Sequence, residues 1–356
     1  MKKIITKTQE FDNCIQVFFE KESTVLFDIE TTGFNSDTTL LYLIGCSYYK
    51  DNHWNIIQWF NDDGISELQI LNEFFSFIKD YNRLISYNGE GFDMPYIIHK
   101  LKKYNLSYTF DDIESIDIYK LLRPYKNMLH LDNLKQKSIE LLLGIHRLDK
   151  YSGKDLIKVY NQYLTDKNKL KETVILQHNY EDLEGLMSIF SLLAYPKLEQ
   201  GYFHVNKMSV KENQLVFSFL LDYSIPKRIT CTFEGLNFTA HKNSATLYVP
   251  IINDTLKFFF DNYNEYYYLP VEDTAVHKSV ASFVDKNYKT KATKQNCYTK
   301  KQGYFITQLN TNFIHGFKHY YEEKYSYIEL VDSFLKDQDK INCYASNIVK
   351  VLVKKG

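Results

Sequence analysis

Two acidic residues lie two positions apart near the start of the chain, in Phe27-Asp28-Ile29-Glu30. They follow a short apolar run, TVLF, that favours a buried strand. Because side chains alternate along a strand, Asp28 and Glu30 project from one face while Ile29 turns to the other. Two carboxylates on one face repel each other unless a cation lies between them, and Mg²⁺ prefers such oxygen ligands. The pair therefore predicts part of a divalent-cation site that needs further acids from elsewhere.

A third candidate acid, Asp93, ends the segment SYNGEGFD that begins at Ser86. Gly89 and Gly91 allow the backbone to turn tightly, and Asp93 then lies near the start of a helix. An acid at that position is also an ordinary helix-start residue, favoured by capping and by the helix dipole. Taken alone, this segment leaves both interpretations open.

A histidine and an aspartate complete the candidate set in QHNYED, residues 177–182. On a helix His178 and Asp182 are four residues apart and share a face. A histidine can accept the proton of an attacking water, and an aspartate can complete a metal site. Alone, such a pair is more often a surface contact than a functional one.

The elements that must position these residues can be read from the apolar pattern. Three strands are predicted within residues 24–60, in TVLFDIE, LLYLIGCSYY and WNIIQWF. Helical spacing follows at 65–80, and a fourth strand, RLISY, precedes a helix in FDMPYIIHKLKKY. Further helices are predicted at 132–143, 152–163 and 168–194, the last bounded by Pro196. Strands followed by strand–helix alternation indicate an α/β domain with a mixed sheet flanked by helices.

The pattern changes after about residue 200. Short apolar runs indicate a β-rich stretch with hairpin-like spacing, in QLVFSFLLD, RITCTFEG, LNFTAH, ATLYVP and LKFFFD. From about residue 270 the pattern favours helices again, including YIELVDSFLKD. We therefore expect an α/β domain over residues 1–199 and an α+β region over residues 200–356.

One segment of the second half is basic: seven lysines and one acid, Asp285, lie between Val276 and Gln302. Aromatic residues are interleaved with them, as in surfaces that follow a nucleic-acid backbone. A solvated surface is the simpler alternative. The candidate phosphate contacts are Lys286, Lys289, Lys291 and Lys294.

Composition narrows the class of protein. The 356 residues are 44% hydrophobic and 24% charged, as in ordinary globular proteins. No apolar run approaches the ~18–20 residues of a membrane span, and the polar start MKKIITKTQE lacks the apolar core of a signal peptide. The five cysteines are scattered without a CxxC pair, which disfavours zinc binding and disulfides and favours a cytoplasmic protein.

The order and spacing of these motifs resemble the histidine (DEDDh) subgroup of the DEDD exonuclease superfamily. The segments SYNGEGFDMPYI, SIDIYKLL, IELLLGIHRLDKYSGKDLIKVYNQYL and LQHNYEDLEGL resemble in particular its YprB-type ribonuclease-H-like domain. The resemblance covers about residues 23–195. It implies a ribonuclease-H-like fold and 3′→5′ removal of nucleotides from DNA or RNA.

The resemblance also implies roles for individual residues. The metal ligands for two Mg²⁺ or Mn²⁺ ions would be Asp28, Glu30, Asp93 and Asp182. His178 would be the general base, and Thr31, Thr32 and Asn88 are expected to contact sugar or phosphate. The expected partner is nucleic acid, with no membrane; protein partners cannot be read from the sequence.

Two other functions remain open at this stage: a structure-selective endonuclease on the same fold, and a non-catalytic nucleic-acid-binding module. Among the other acids, Asp117 is either a supporting residue of the site or a structural residue at a strand end. Glu90, Glu181 and Glu184 are expected to face solvent.

Overall fold

A mixed sheet of six strands organises the first of the two units into which the chain divides, Met1–Leu193 and Ala194–Gly356. The computed structural model describes residues 1–8, 14–310 and 313–355. The strands are β1 (Lys2–Lys7), β2 (Thr24–Thr31), β3 (Leu41–Lys50), β4 (His53–Phe60), β5 (Arg83–Ser86) and β6 (Glu114–Asp117). Their order across the sheet is β1-β4-β3-β2-β5-β6. The β2–β5 and β5–β6 pairings are parallel and the other three are antiparallel.

Helices cover both faces of this sheet. They are α1 (Cys14–Phe18), α2 (Glu67–Ile78), α3 (Asp93–Lys103), α4 (Ile118–Leu122), α5 (Gln136–Leu143), α6 (Gly153–Asp166) and α7 (Lys169–Ser188). Apolar residues of α2 and α3 form one core with the sheet, and residues of α6 and α7 form another with β3 and β4. The mixed sheet flanked by helices that the sequence predicts is confirmed.

Strand β2 shows the alternation that the sequence predicts. Phe27 and Ile29 are buried in the core beneath α2 and α3. Asp28 and Glu30 lie on the other face, where they contact residues of α7. The strand therefore packs its apolar side chains into the core and presents both carboxylates on the opposite face.

A buried ion pair fastens the loop that follows β2. The ammonium of Lys100 lies 2.9 Å from Glu67 Oε1, and both side chains are almost fully buried. Lys100 also donates a hydrogen bond to the Thr39 carbonyl, and Glu67 accepts one from the Leu41 amide at 2.6 Å. These polar partners compensate the desolvation of both charges and tie the loop to α2 and α3.

The second unit is built on two long antiparallel strands. Its five-stranded sheet has the order β14-β13-β9-β8-β7, and a small sheet has the order β11-β10-β12. The strands are β7 (Phe203–Lys211), β8 (Gln214–Phe233), β9 (Leu236–Phe259), β10 (Tyr266–Leu269), β11 (Thr274–His277), β12 (Thr290–Lys291), β13 (Tyr298–Gln308) and β14 (Ser326–Glu329). The helices are α8 (Ala194–Glu199), α9 (Lys278–Ala281), α10 (Asp332–Leu335) and α11 (Gln338–Lys355).

Three predictions of detail are wrong. The helix predicted over 168–194 ends at Ser188, and Pro196 lies inside α8 rather than bounding a helix. All five short strands predicted within residues 214–261 merge into β8 and β9, whose register shifts between Leu220 and Ile229. From 270 onward the helices α9, α10 and α11 alternate with strands. Within YIELVDSFLKD, residues 327–329 belong to β14, which pairs with β13, and only the DSFL segment is helical, as α10.

Within the described residues, no helix has both the length and the apolar character needed to cross a bilayer.

Candidate active site

Four carboxylates from three elements meet beside β2. Asp28 and Glu30 come from that strand, Asp93 is the first residue of α3, and Asp182 lies in α7. Strand β5 pairs with β2 only as far as Leu26. Three residues further along, the amide of Ile29 donates a hydrogen bond to Asp93 Oδ1 at 3.1 Å. The Asp93 side chain is therefore held by the backbone of Ile29, the residue between Asp28 and Glu30.

Burial of these acids creates strong electrostatic strain. Asp93 and Glu30 are only 6% and 8% exposed. Burial, followed by the charge of Asp182, raises the pKa of both Asp28 and Glu30 well above the usual range. Burial also raises the pKa of Asp93 to about 7, although the hydrogen bond from Ile29 favours its ionised form. The cluster therefore needs protons or cations to compensate its charge.

His178 is held between an aspartate and the acid cluster. Its Nδ1 lies 2.6 Å from Asp149 Oδ2, while its Nε2 lies 3.3 Å from Asp182 Oδ2 and 3.6 Å from Glu30 Oε1. Because the Asp149 carboxylate accepts the hydrogen on Nδ1, Nε2 is left to accept a proton on the side of the acids.

Asp149 is itself well supported. It is held by the Tyr151 amide and by Lys137, whose ammonium is 3.0 Å from Oδ2. Burial opposes its ionisation, but these hydrogen bonds and the neighbouring His178 lower the pKa of Asp149. Asp149 is therefore an ionised acceptor that fixes the orientation of the imidazole ring.

Asp182 is held by an arginine that comes from outside its helix. Arg147 contacts Asp182 Oδ1 and also binds Glu140 of α5 through two hydrogen bonds of 2.6 and 2.5 Å. Gly185 makes this possible, because a Cβ there would lie 1.8 Å from Glu140 Oε1. With Oδ1 occupied by Arg147, Asp182 presents Oδ2 to His178.

An amide chain positions Asp28. Asn179 donates a hydrogen bond to Asp28 Oδ2 at 2.9 Å and accepts one from Gln58 at 2.9 Å. Gly45 lies opposite Asp28 on β3, and a Cβ at Gly45 would lie 2.0 Å from the Asn179 oxygen. The glycine therefore allows α7 to approach the sheet closely enough for this contact.

Asp117 organises the turn that leads to Asp93. Its carboxylate accepts hydrogen bonds from the amides of Asn88 and Glu90 at 2.9 and 3.2 Å, and it also caps α4. Both interpretations left open by the sequence therefore apply to Asp117. Asn88 is exposed, with a φ of +62°.

The two threonines after Glu30 are half-buried. The Thr31 hydroxyl donates to the Gly33 carbonyl, and the Thr32 hydroxyl accepts from the Leu40 amide at 2.8 Å. Both hydroxyls therefore shape the loop, and Thr32 keeps its own proton to donate elsewhere.

Sequence reasoning missed the residues that support this site and misplaced one acid. Arg147, Asp149 and Asn179 lie in segments that carry the family resemblance, but the sequence assigns them no role. Their contacts with Asp182, His178 and Asp28 form only in the folded chain. Glu181 is buried instead of solvent-facing, because it accepts hydrogen bonds from Gln177 and from the Asp149 amide. Glu90 and Glu184 are half-buried.

The four candidate lysines lie in the second unit. Lys286, Lys291 and Lys294 are exposed. Lys289 is half-buried, donates to the Ala281 carbonyl, and lies 5.4 Å from the centre of the Tyr267 ring.

Comparison with known proteins bears on the fold of the first unit. A family model described as the RNase H superfamily matches residues 25–194. Residues 25–194 form a ribonuclease H superfamily domain. The chain is also 27% identical over 186 residues to a DNA polymerase of Methanocaldococcus jannaschii. That match covers 48% of this chain but only 11% of the polymerase. The family B DNA polymerase from Pyrobaculum calidifontis is a structural neighbour, with a TM-score of 0.41, 13% identity, and coverage of 49% of this chain and 25% of that one.

Ribonuclease-H-like domains generally use divalent metals, and the residues of this one fit such ions. One ligand atom from each of Glu30, His178 and Asp182 lies within 4.8 Å of the others. Asp28 and Asp93 add oxygen donors next to them, and hard cations prefer oxygen ligands. Burial raises the pKa values of Asp28, Glu30 and Asp93, so a cation bound among them would replace the protons that these carboxyls otherwise hold.

The buried acids predict how stability depends on pH. In an unfolded chain these carboxyls lose their protons near pH 4, whereas folded Asp93 keeps its proton to about pH 7. The folded state thus binds more protons between these values, so metal-free protein should lose stability as pH rises from about 4 to about 7. Thermal melts in EDTA, followed by fluorescence of Trp54 and Trp59 in the ribonuclease H domain, measure this loss. Asp93→Asn should flatten the slope; an equally steep slope in that variant would contradict the assignment.

Arg147 should influence metal binding through Asp182. Replacing Arg147 by Met frees the Asp182 carboxylate to rotate, so Mn²⁺ affinity should fall about 10- to 100-fold, the usual effect of losing a residue that orients a ligand. Isothermal titration with Mn²⁺ measures the change. Arg83→Met removes another arginine–glutamate pair of the same unit, with Glu114, and should leave the affinity unchanged. Wild-type affinity in Arg147→Met would show that Asp182 needs no such support.

Proposed function

We propose that this protein is a metal-dependent 3′→5′ exonuclease of DNA or RNA, of the histidine type. The observation that carries the proposal is the meeting of Asp28, Glu30, Asp93 and Asp182 around an imidazole whose Nε2 faces them. The ribonuclease H fold implies a nucleic-acid substrate. The match to a DNA polymerase, a protein that acts on DNA, supports the same substrate class.

His178 is the proposed general base. Asp149 holds Nδ1, so Nε2 accepts the proton of the attacking water and the resulting imidazolium is stabilised by the same carboxylate. The Nε2 atom lies within 3.6 Å of two carboxylates, which supports a proton transfer at the acid cluster.

The acids are the proposed ligands of two Mg²⁺ or Mn²⁺ ions: Asp28, Glu30, Asp93 and Asp182. Such a pair of cations stabilises the attacking and leaving oxygens of an in-line displacement and lowers the pKa of the attacking water. The protein's part is to hold the ligands rigidly. Ile29 fixes Asp93, Asn179 fixes Asp28, and Tyr42 donates to Glu30 at 3.3 Å.

The 3′→5′ direction rests on the resemblance of the motifs to the DEDDh subgroup. Asn88, Thr31 and Thr32 are proposed to contact the sugar and phosphate of the terminal nucleotide. Asn88 is exposed beside Asp117, and its side-chain amide is available for this purpose.

Cleavage of end-labelled DNA and RNA, single-stranded and duplex, with Mn²⁺ tests the proposal. We expect a ladder of single-nucleotide steps from the 3′ end, and no products from Asp28→Ala. His178→Ala should still bind Mn²⁺ but should turn over about 100-fold more slowly or worse, because it lacks the base.

The outcomes separate the alternatives. Internal cuts would indicate an endonuclease, and binding without cleavage would indicate a nucleic-acid-binding module. Full activity of His178→Ala would remove the histidine from its proposed role.

The second unit is proposed to present substrate to the ribonuclease H domain. Phe283 and Tyr288 are 93% and 62% exposed among the exposed lysines of the basic segment. Exposed rings beside cations suit base stacking along a phosphate backbone. Because Lys289 already donates to a carbonyl, it should contribute least of the four.

Replacing Lys286, Lys289, Lys291 and Lys294 by Glu should weaken binding of DNA or RNA, since it reverses the charge of the segment. Fluorescence anisotropy at low salt measures the affinity. The matched control changes four other lysines of the same unit to Glu: Lys207, Lys211, Lys242 and Lys350. Equal affinities of the wild type and the first variant would remove the basic segment from the proposal.

A further inference from the structure

An open cleft of about 890 Å³ lies beside the turn that carries Asn88. Its walls come from residues 87–88, 119–127 and 132–136. Gln136 lines the cleft and also donates a hydrogen bond to the backbone carbonyl of Asp182 at 2.7 Å, so the cleft lies next to the helix that carries Asp182. Of the residues given a role from the sequence, Asn88 alone is among those that line the cleft.

Unpaired cations line the cleft. Arg123, Lys126 and Lys135 are among its walls, and Asp132 is the one acid among the residues that line it. Within the described part of the chain, the side chains of these three basic residues form no ion pair and no hydrogen bond, whereas most basic residues around the acid site are paired. A concentration of free positive charge in one concave surface favours a polyanionic ligand.

The other walls suit bases and sugars. Tyr87 and Tyr119 are half-buried, with ring centres 6.0 Å apart in an edge-to-face arrangement. The Tyr87 hydroxyl is fixed by the Leu134 carbonyl at 2.6 Å, so its ring is a rigid surface. Aromatic faces stack with bases of any identity, and the side-chain amides of Asn88 and Asn127 can donate to phosphate or to base edges.

The size of the cleft limits the ligand. Ligand sites of ~300–1,000 Å³ enclose molecules of about one to a few nucleotides, which is too little for a duplex. We propose that the cleft binds the single-stranded segment of the nucleic acid next to the nucleotide in the acid site, with its phosphates on Arg123, Lys126 and Lys135. This inference rests on the proposed function, because it assigns the substrate class of the same centre.

Binding without cleavage tests the inference. The variant R123Q/K126Q/K135Q and the wild type are titrated against a labelled single-stranded oligonucleotide in EDTA, over a range of salt concentrations. Each phosphate contact to a single strand contributes about 0.7 to the salt slope, so losing three should lower the slope of log K against log salt by about 2. Affinity at low salt should fall at least tenfold, and a blunt duplex should bind the wild type more weakly than the single strand.

A matched variant controls for net charge. K79Q/K102Q/K154Q removes three exposed lysines from the same unit, outside the cleft, with the same change of charge. Its slope of log K against log salt should differ from the wild-type slope by no more than about 0.7, the contribution of one phosphate contact. Circular dichroism confirms that both variants are folded, and the single variants of the cleft residues replace the triple variant if it is not.

Three results would overturn the proposal. They are a wild-type salt slope in R123Q/K126Q/K135Q, an equal loss of slope and affinity in the control variant, and a blunt duplex that binds the wild type as tightly as the single strand does. Failure of the nuclease proposal looks different. In that case the wild type binds the single strand and R123Q/K126Q/K135Q binds it weakly, but the wild type forms no product with Mn²⁺.

Discussion

Mutual repulsion between buried carboxylates is the constraint on which the rest of the ribonuclease H domain depends. Burial raises the pKa of Asp28, Glu30 and Asp93, and the charge of the neighbouring carboxylates adds to the effect. Folding can bring such groups together only if each is held by a partner that does not itself need to move. The structure supplies a backbone amide for Asp93, an amide side chain for Asp28, a tyrosine for Glu30 and an arginine for Asp182. The acids therefore stay in place while their charge is left for a cation to compensate.

These partners reach the acids because α7 packs closely against the neighbouring strand and helix. Helix α7 lies against β3 at Gly45 and against α5 at Gly185, and neither position has room for a Cβ. Helix α7 therefore reaches the strand acids through His178 and Asn179, while Arg147, itself held by Glu140, contacts Asp182. Burial on several faces also explains why Glu181 is not exposed: on a helix packed on more than one side, even a charged residue becomes part of the support.

Much of the ribonuclease H domain could be predicted from its sequence, because local residue patterns determine its strands and helices. The alternation in β2, the apolar spacing of α2 and the separation of His178 and Asp182 on one helix each reflect a rule that acts over a few residues. The roles of Arg147 and Asp149 could not be predicted in the same way, since they depend on a loop meeting a helix about thirty residues later. In the second unit, polar residues within 222–228 look like a turn, yet the strand continues through them with a shifted register. There, pairing with a partner strand outweighs local preference.

The loop between α5 and α6 supports both Asp182, a candidate metal ligand, and His178, the candidate general base. Arg147 and Asp149 turn inward, with side chains 7% and 3% exposed, while Leu148 between them is 85% exposed. One inward residue steadies a metal-ligand candidate and the other steadies the imidazole. A displacement of residues 147–149 would therefore release Asp182 and the His178 ring together, because each is held by a residue of the same short segment.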